Sequence, residues 1–99
     1  HAKDYVKAMF MILEQDKPDD FVCATGISHS VRELCYYTFS QLDLDYKDYV
    51  GVDTRFYRAE ELVHLKGDSS KLKSIGFKAE YTFETMLDEM INYWRKIYE

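Results

Sequence analysis

The end of the chain carries an apolar pattern that constrains its fold more than any other feature. Polar residues such as Glu84, Asp88 and Arg95 alternate there with large apolar residues that recur every three or four positions. The apolar residues are Phe83, Met86, Leu87, Met90, Ile91, Trp94 and Ile97. This period is typical of an amphipathic α-helix. We therefore predict a helix that follows the capping residue Thr82 and packs its apolar face into a core, and we do not interpret the pattern as a cofactor-binding segment.

Three further helices are predicted earlier in the chain. Residues 3–15 carry apolar side chains on more than one face, so a helix there needs burial on more than one side. Its main apolar stripe is Val6, Met9, Phe10 and Leu13. Ser30 and Glu33 form a capping box, which predicts a helix from residue 30. The inward stripe of that helix would be Val31, Leu34, Cys35, Thr38 and Leu42. Asp68 can cap a short helix that ends at Gly76, because glycine suits the left-handed position after a helix.

Short apolar segments between these helices predict strands. Residues 21–24 and 49–52 are the clearer candidates, residues 62–65 are a third, and turn-forming residues border the first two. No internal repeat or linker divides the 99 residues, and a chain of this length forms at most one domain with a modest core. We expect an α+β fold with four helices and two or three short strands, as a single domain over residues 1–99.

The charge and the cysteines of the chain exclude several classes of protein. Its 13 basic and 18 acidic residues are spread without a basic stripe, so nucleic acid is not an expected partner. The longest apolar run, residues 8–13, is too short to span a bilayer, and no signal-peptide pattern precedes it. Cys23 and Cys35 fit neither a redox pair nor a zinc pattern, and we interpret them as small buried thiols of a reduced compartment. We expect a soluble, cytoplasmic protein, and a fragment of a longer one because the chain starts at His1 without an initiator methionine.

Familiar catalytic and cofactor motifs are missing from the sequence. The glycines lie too far apart for a dinucleotide or phosphate-binding loop; they are Gly26, Gly51, Gly67 and Gly76. The histidines His1, His29 and His64 do not have the spacing of metal ligands. No cysteine or serine belongs to an evident nucleophilic triad. The sequence therefore predicts no catalytic, cofactor-binding or metal-binding residue in this chain.

Residues 55–61 hold the strongest candidate for a ligand site. They combine Arg55 and Arg58 with aromatic rings and carboxylates, in a chain whose net charge is -5. Arg58 and Glu61 are three positions apart, so the guanidinium can grip a phosphate through paired N–H donors while the carboxylate accepts hydroxyl protons from the same ligand. A phosphorylated sugar or a nucleotide would use that combination. The alternative is an exposed ion pair of little consequence.

A series of short segments, in order and at matching spacing, carries a resemblance to a known family. The segments are residues 1–6, 8–9, 15–22, 24–26, 29–33, 52–53, 55–58, 61, 67–68, 70–71 and 76–78. Together they resemble the C-terminal part of the GDP-mannose 4,6-dehydratases, which belong to the extended short-chain dehydrogenase/reductase superfamily. The resemblance extends over nearly the whole chain. It implies a small substrate-binding domain that closes over a nucleotide-sugar, without the N-terminal Rossmann domain.

The resemblance also implies the activity of a parent enzyme. Members of the family convert GDP-mannose to GDP-4-keto-6-deoxymannose, on the way to GDP-fucose, by NADP-assisted oxidation at C4, elimination of the C6 hydroxyl and return of the hydride. The family's glycine loop and its catalytic Tyr-x-x-x-Lys pair lie in the N-terminal portion, and none of the nine tyrosines here has a lysine four positions later. The isolated chain should therefore be inactive and should not bind NADP. The parent is expected to be a homo-oligomer, either a dimer or a tetramer.

Ligand roles within residues 55–61 follow from the same resemblance. Arg58 matches the arginine that grips the diphosphate, and Glu61 matches the acid that contacts the nucleoside ribose. Arg55 is a further candidate for the same anion. The predicted substrate-binding residues are thus Arg58, Glu61 and Arg55.

The chain departs from the family pattern at three positions. The family usually has proline, aspartate and proline at the positions that here are Ala59, Val63 and Ser69. Ala59 frees a backbone that proline would fix, and Val63 removes a carboxylate. Two alternatives therefore remain: a dehydratase or epimerase of another nucleotide-sugar such as a GDP-heptose, and a non-catalytic protein-interaction module that uses the aromatic residues.

Overall fold

The computed structural model of the chain describes residues 1–61 and 64–99. These residues contain the α-helices α1 (Ala2–Leu13), α2 (Val31–Ser40), α3 (Ser70–Ser74) and α4 (Phe83–Tyr98). Single 3-10 turns span Tyr46–Asp48 and Thr54–Phe56. The chain divides into a first unit, His1–Ile27 with Lys66–Met86, and a second unit, Ser28–Leu65 with Leu87–Glu99. The expected single domain over residues 1–99 stays a prediction.

Ser30 and Thr82 cap α2 and α4 as the sequence predicts. At α3 the outcome differs, because the helix starts after Ser69, which makes no side-chain capping bond, while Asp68 accepts the Ser70 backbone N–H at 3.0 Å. The Ser30 hydroxyl accepts the Glu33 backbone N–H at 3.0 Å, although the Glu33 carboxylate pairs with the His29 ring at 2.9 Å. The Thr82 hydroxyl accepts the Thr85 backbone N–H at 3.1 Å at the start of α4. After α3, Gly76 adopts a φ of +99°, the left-handed conformation that favours glycine. Local side-chain chemistry therefore sets these helix ends.

The core of the first unit forms between α1, α3 and the segments beside them. Ala8, Leu72 and Phe77 are buried there. Partly buried neighbours pack around them: Met11, Ile12, Phe21, Cys23, Ile75 and Ala79. The buried Asp4 carboxylate accepts two backbone N–H groups, from Glu80 at 3.0 Å and Tyr81 at 3.1 Å. Asp4 thereby fastens the start of α1 to the segment that leads into α4.

The opposite face of α1 is exposed. Its apolar residues Val6, Met9, Phe10 and Leu13 are between 62% and 83% exposed. The helix therefore buries one of its apolar faces and leaves its main sequence stripe uncovered.

The second unit is held by contacts of α2. The Tyr37 hydroxyl lies 2.8 Å from the Asp88 carboxylate of α4. The Phe39 ring stacks on Tyr49 with ring centroids 5.5 Å apart, which ties α2 to the Tyr46–Asp48 turn. Leu87 is buried in this unit, whereas Val31, which the sequence places on the inward stripe of α2, is 75% exposed. Val31, the first residue of α2, therefore does not belong to the inward stripe that the sequence predicts.

The segments expected to form strands are not in strands within the described residues. Residues 21–24 and 49–52 have no strand assignment, and neither have His64 and Leu65. Leu62 and Val63, the other half of the third candidate, lie outside the described residues. A β-strand is defined by backbone hydrogen bonds to a neighbouring strand. In the part of the chain that the structure describes, these segments have no such pairing. The α+β class therefore stays a prediction.

Candidate functional site

The local fold of residues 53–56 determines the position of Arg55. Asp53 accepts the Arg55 backbone N–H at 2.9 Å and so caps the Thr54–Phe56 turn. The same carboxylate receives the guanidinium, with Nη2 at 2.7 Å and Nε at 3.0 Å from Oδ2. This pairing lowers the pKa of Asp53 and raises the pKa of Arg55, mainly through the side-chain hydrogen bonds. Arg55 is thus already engaged by a carboxylate.

Arg58 and Glu61 form a looser pair. Arg58 Nη1 lies 3.7 Å from Glu61 Oε1, and the two side chains are 76% and 65% exposed. That distance is too long for a hydrogen bond. An incoming phosphate can therefore take the Arg58 guanidinium without displacing a hydrogen bond to Glu61, while the carboxylate stays close enough to meet another part of the same ligand.

Exposed aromatic rings lie beside these charges. Phe56 and Tyr57 are 78% and 70% exposed, and the guanidinium carbon of Arg55 is 5.9 Å from the centroid of the Phe56 ring. An aromatic face can stack on a base or a sugar ring. Residues 55–61 can thus contact an anion, the hydroxyl groups and a ring of one ligand.

The structure brings together two of the three predicted site residues. Arg58 and Glu61 are paired, whereas Arg55 is directed to Asp53, a residue to which the sequence analysis gave no role. An aspartate two positions before a residue commonly accepts its backbone N–H in a turn, so the Asp53-Thr54-Arg55 order was the signal for this contact. Val63 lies outside the described residues, and the ligand roles themselves stay predictions.

The described ranges contain neither a cluster of metal ligands nor a membrane-spanning helix. Within residues 1–61 and 64–99, no group of three or more His, Cys, Asp and Glu side chains could hold a metal ion. No helix in the same ranges is long and apolar enough to cross a membrane. Cys23 and Cys35 are free thiols, and they are partly buried where the sequence predicts buried thiols. Burial raises the pKa of the Cys23 thiol, which packs on the core of the first unit.

Comparison with known proteins identifies the relatives of this chain. The family model for GDP-mannose 4,6 dehydratase matches residues 1–90. GDP-mannose 4,6 dehydratase 1 of Arabidopsis thaliana is 44% identical over 92 residues, which cover 92% of this chain and 26% of the relative. The GDP-mannose 4,6 dehydratase of Homo sapiens is 36% identical over 110 residues, covering 93% of this chain and 30% of the relative.

A bacterial relative matches in the same way. The GDP-mannose 4,6-dehydratase of Vibrio cholerae is 34% identical, with 92% of this chain and 32% of the relative covered. The chain thus spans about a quarter to a third of the length of these curated relatives. The resemblance stated from the sequence is confirmed, since the family model covers most of the residues. This chain belongs to the GDP-mannose 4,6 dehydratase family.

Proposed function

We propose that this chain is the part of a GDP-mannose 4,6-dehydratase that binds the GDP moiety of the substrate. The observation that carries the proposal is the exposed Arg58 guanidinium, which lies beside Glu61 without a hydrogen bond to it in an acidic chain of this family. In this proposal Arg58 grips the diphosphate through paired N–H donors, and Glu61 accepts protons from the ribose hydroxyls.

The three candidate residues contribute unequally in this proposal. A charge-assisted hydrogen bond to phosphate contributes about 1.5–3 kcal/mol, or roughly one to two powers of ten in affinity. Arg58 can provide that contribution directly. Arg55 must first leave the Asp53 carboxylate, to which it makes hydrogen bonds of 2.7 to 3.1 Å. We therefore expect Arg55 to add less than Arg58.

The remaining parts of the proposal concern the longer parent enzyme. We place NADP and the catalytic residues in the portion that this chain does not span, so that the isolated chain is inactive. A dinucleotide needs a glycine turn that opens a helix, and no glycine of the described residues directly precedes α1, α2, α3 or α4. The residues present therefore do not fit NADP. A cytoplasmic homo-oligomer completes the proposal for the parent.

An NMR titration of the chain tests the proposed binding. GDP and GDP-mannose, but not free mannose, should shift the amide signals around Arg58. Arg58→Ala should weaken GDP binding by about ten- to a hundred-fold, and Arg55→Ala by less. Arg95→Ala is the matched control, because it removes one equally charged side chain whose partner is Glu99, the residue directly after α4. Equal shifts in the wild-type and Arg58→Ala chains would show that Arg58 does not bind the nucleotide.

A chimera tests the activity of the parent. This chain replaces the matched segment of the Arabidopsis dehydratase, to which it is 44% identical. We expect the chimera to dehydrate GDP-mannose, and Arg58→Ala to lower its kcat/KM by about ten- to a hundred-fold. A folded chimera that binds GDP-mannose without converting it would contradict GDP-mannose as the substrate of the parent.

A further inference from the structure

The second unit contains an apolar groove between α2 and α4. Its volume is about 550 Å³. α2 contributes Cys35, Thr38 and Phe39, and α4 contributes Met90, Trp94, Arg95 and Tyr98. Met90, Trp94 and Tyr98 are between 50% and 81% exposed. The wall is thus made of large side chains that elsewhere would form a core.

The surface area of the chain indicates that such faces are normally covered. The chain exposes 8672 Å². Even two separate compact domains, each of half the 11.8 kDa mass, would together expose only about 7,100 Å². The surplus is about 1,500 Å², close to twice the roughly 800 Å² that one partner contributes to a standard protein interface. Exposed large apolar residues lie on two surfaces that such a partner could cover, the Val6 face of α1 and the groove.

The chemistry of the groove restricts what can occupy it. Small-molecule sites carry a few converging polar groups that orient the ligand, whereas this wall is almost entirely apolar, with Thr38 and Arg95 among its few polar members. The wall consists mainly of two α-helices, whose backbone groups are already paired within each helix. An extended segment would find no backbone partner there. A helix satisfies its own backbone and can place an apolar ridge between two other helices.

The length of the relatives indicates where that helix comes from. This chain spans 26% of the Arabidopsis relative, 30% of the human relative and 32% of the Vibrio relative. About two-thirds or more of each relative therefore lies outside the matched segment. A second copy of this chain is a less favourable occupant, because each copy carries a net charge of -5 and the two would repel.

We propose that the groove between α2 and α4 is the seat of an amphipathic helix from the portion of the parent polypeptide that this chain does not span. The inference rests on membership of the family and not on nucleotide binding by Arg58. The incoming helix would place apolar side chains against Met90 and Trp94. Arg95 at the groove would meet an acidic residue on the flank of the incoming helix, because the Arg95 side chain is 51% exposed and its guanidinium can bind a second carboxylate.

Cys35 provides a built-in reporter of occupancy, since it is a free thiol that lines the groove. The experiment compares the 99-residue chain with the Arabidopsis chimera, using a thiol-alkylating reagent and mass spectrometry of the peptide that contains Cys35. We expect Cys35 to react at least about tenfold more slowly in the chimera, because the covering helix must open first. Labelling of each protein in denaturant gives the reference rate.

A charge placed in the groove gives a second, independent measurement. Met90→Glu should leave the helix content of the isolated chain unchanged, because Met90 is half exposed there. In the chimera it should restore Cys35 labelling to within about twofold of the rate in the isolated chain, because a helix cannot cover a charge without a partner. Val31→Glu is the matched control: it introduces the same charge on α2 at a residue outside the groove wall, and it should leave Cys35 protected.

Three results would overturn the proposal. The first is equal labelling of Cys35 in the chimera and the isolated chain. The second is protection in the isolated chain that grows with protein concentration, because the occupant is then a second copy. The third is protection in the chimera that survives Met90→Glu. None of these readouts depends on GDP, so failure of the nucleotide proposal and failure of this one are separately visible.

Discussion

Among the glycines of the first unit, Gly67 is the one that leaves the least space for a side chain. A Cβ atom at residue 67 would lie 2.6 Å from Cβ of Ala24 and 3.5 Å from Cγ1 of Val22. An optimal carbon–carbon contact is about 3.5–4.0 Å, so Gly67→Ala must push two backbone segments apart by nearly 1 Å. Overpacking of this kind costs about 1–3 kcal/mol. We expect that loss in the free energy of unfolding, measured by urea denaturation with circular dichroism.

A double mutant isolates the cause of this loss. Ala24→Gly removes the atom that a Gly67→Ala methyl group would meet, and the remaining 3.5 Å approach to Val22 is an ordinary contact. In the Ala24→Gly background, Gly67→Ala should be neutral or stabilising by up to about 1 kcal/mol, because alanine restricts the unfolded chain. The coupling energy should be about 1–3 kcal/mol.

An equal cost of Gly67→Ala in both backgrounds would mean that the added methyl group does not clash with Ala24. Gly51→Ala is the matched control, because a Cβ at residue 51 would meet no atom within 4 Å. Its effect should stay within about 0.5 kcal/mol, as for other surface substitutions. A comparable loss of stability in Gly51→Ala would mean that replacing these glycines is costly because of lost backbone freedom and not because of a close contact of the added Cβ.

Three other residues carry further predictions. Asp4→Ala should destabilise the first unit by about 2–3 kcal/mol, because it leaves two backbone N–H groups without their carboxylate; unchanged urea denaturation would contradict this. Ser69 is 3% exposed, and its hydroxyl has no hydrogen-bond partner in the described ranges. Ser69→Ala should therefore stabilise the chain by about 1 kcal/mol. The control Ser70→Ala should destabilise the chain, because it removes the hydrogen bond from the Ser70 hydroxyl to the Asp68 carboxylate. Arg55 holds the pKa of Asp53 below its usual 3.8. That contribution is complete above pH 3.8 and is lost as the pH falls through the lower folded value. In Arg55→Ala, the carboxyl NMR titration of Asp53 should return toward 3.8.

Helix positions were predictable because their signals are local. The period of the apolar residues predicted α4, and Thr82 predicted its start, because the Thr82 hydroxyl can accept the backbone N–H of Thr85 three residues later. Ser30 marked the start of α2 in the same way. Each signal involves residues within one or two turns, so no knowledge of distant packing was needed.

The candidate site was only partly predictable. Spacing put Arg58 and Glu61 within reach of each other, and they are paired at 3.7 Å. The same reasoning treated Arg55 as available, whereas Asp53 holds its guanidinium. Sequence spacing does not predict which carboxylate, Asp53 or Glu61, pairs with which arginine, because the pairing depends on the conformation of the turn between them.

The sequence by itself determined which segments form the helices, the capping of α2 by Ser30 and of α4 by Thr82, and the family to which the chain belongs. Only the tertiary structure decided which face of α1 is buried. The sequence stripe of Val6, Met9, Phe10 and Leu13 is exposed, and the face with Ala8 packs against Leu72 and Phe77. The hydrophobic effect is not directional and does not favour one apolar face of a helix over another. A helix with two apolar faces therefore buries the face against which other apolar residues pack. In this chain the Asp4 carboxylate holds α1 in that orientation, because it accepts the backbone N–H groups of Glu80 and Tyr81.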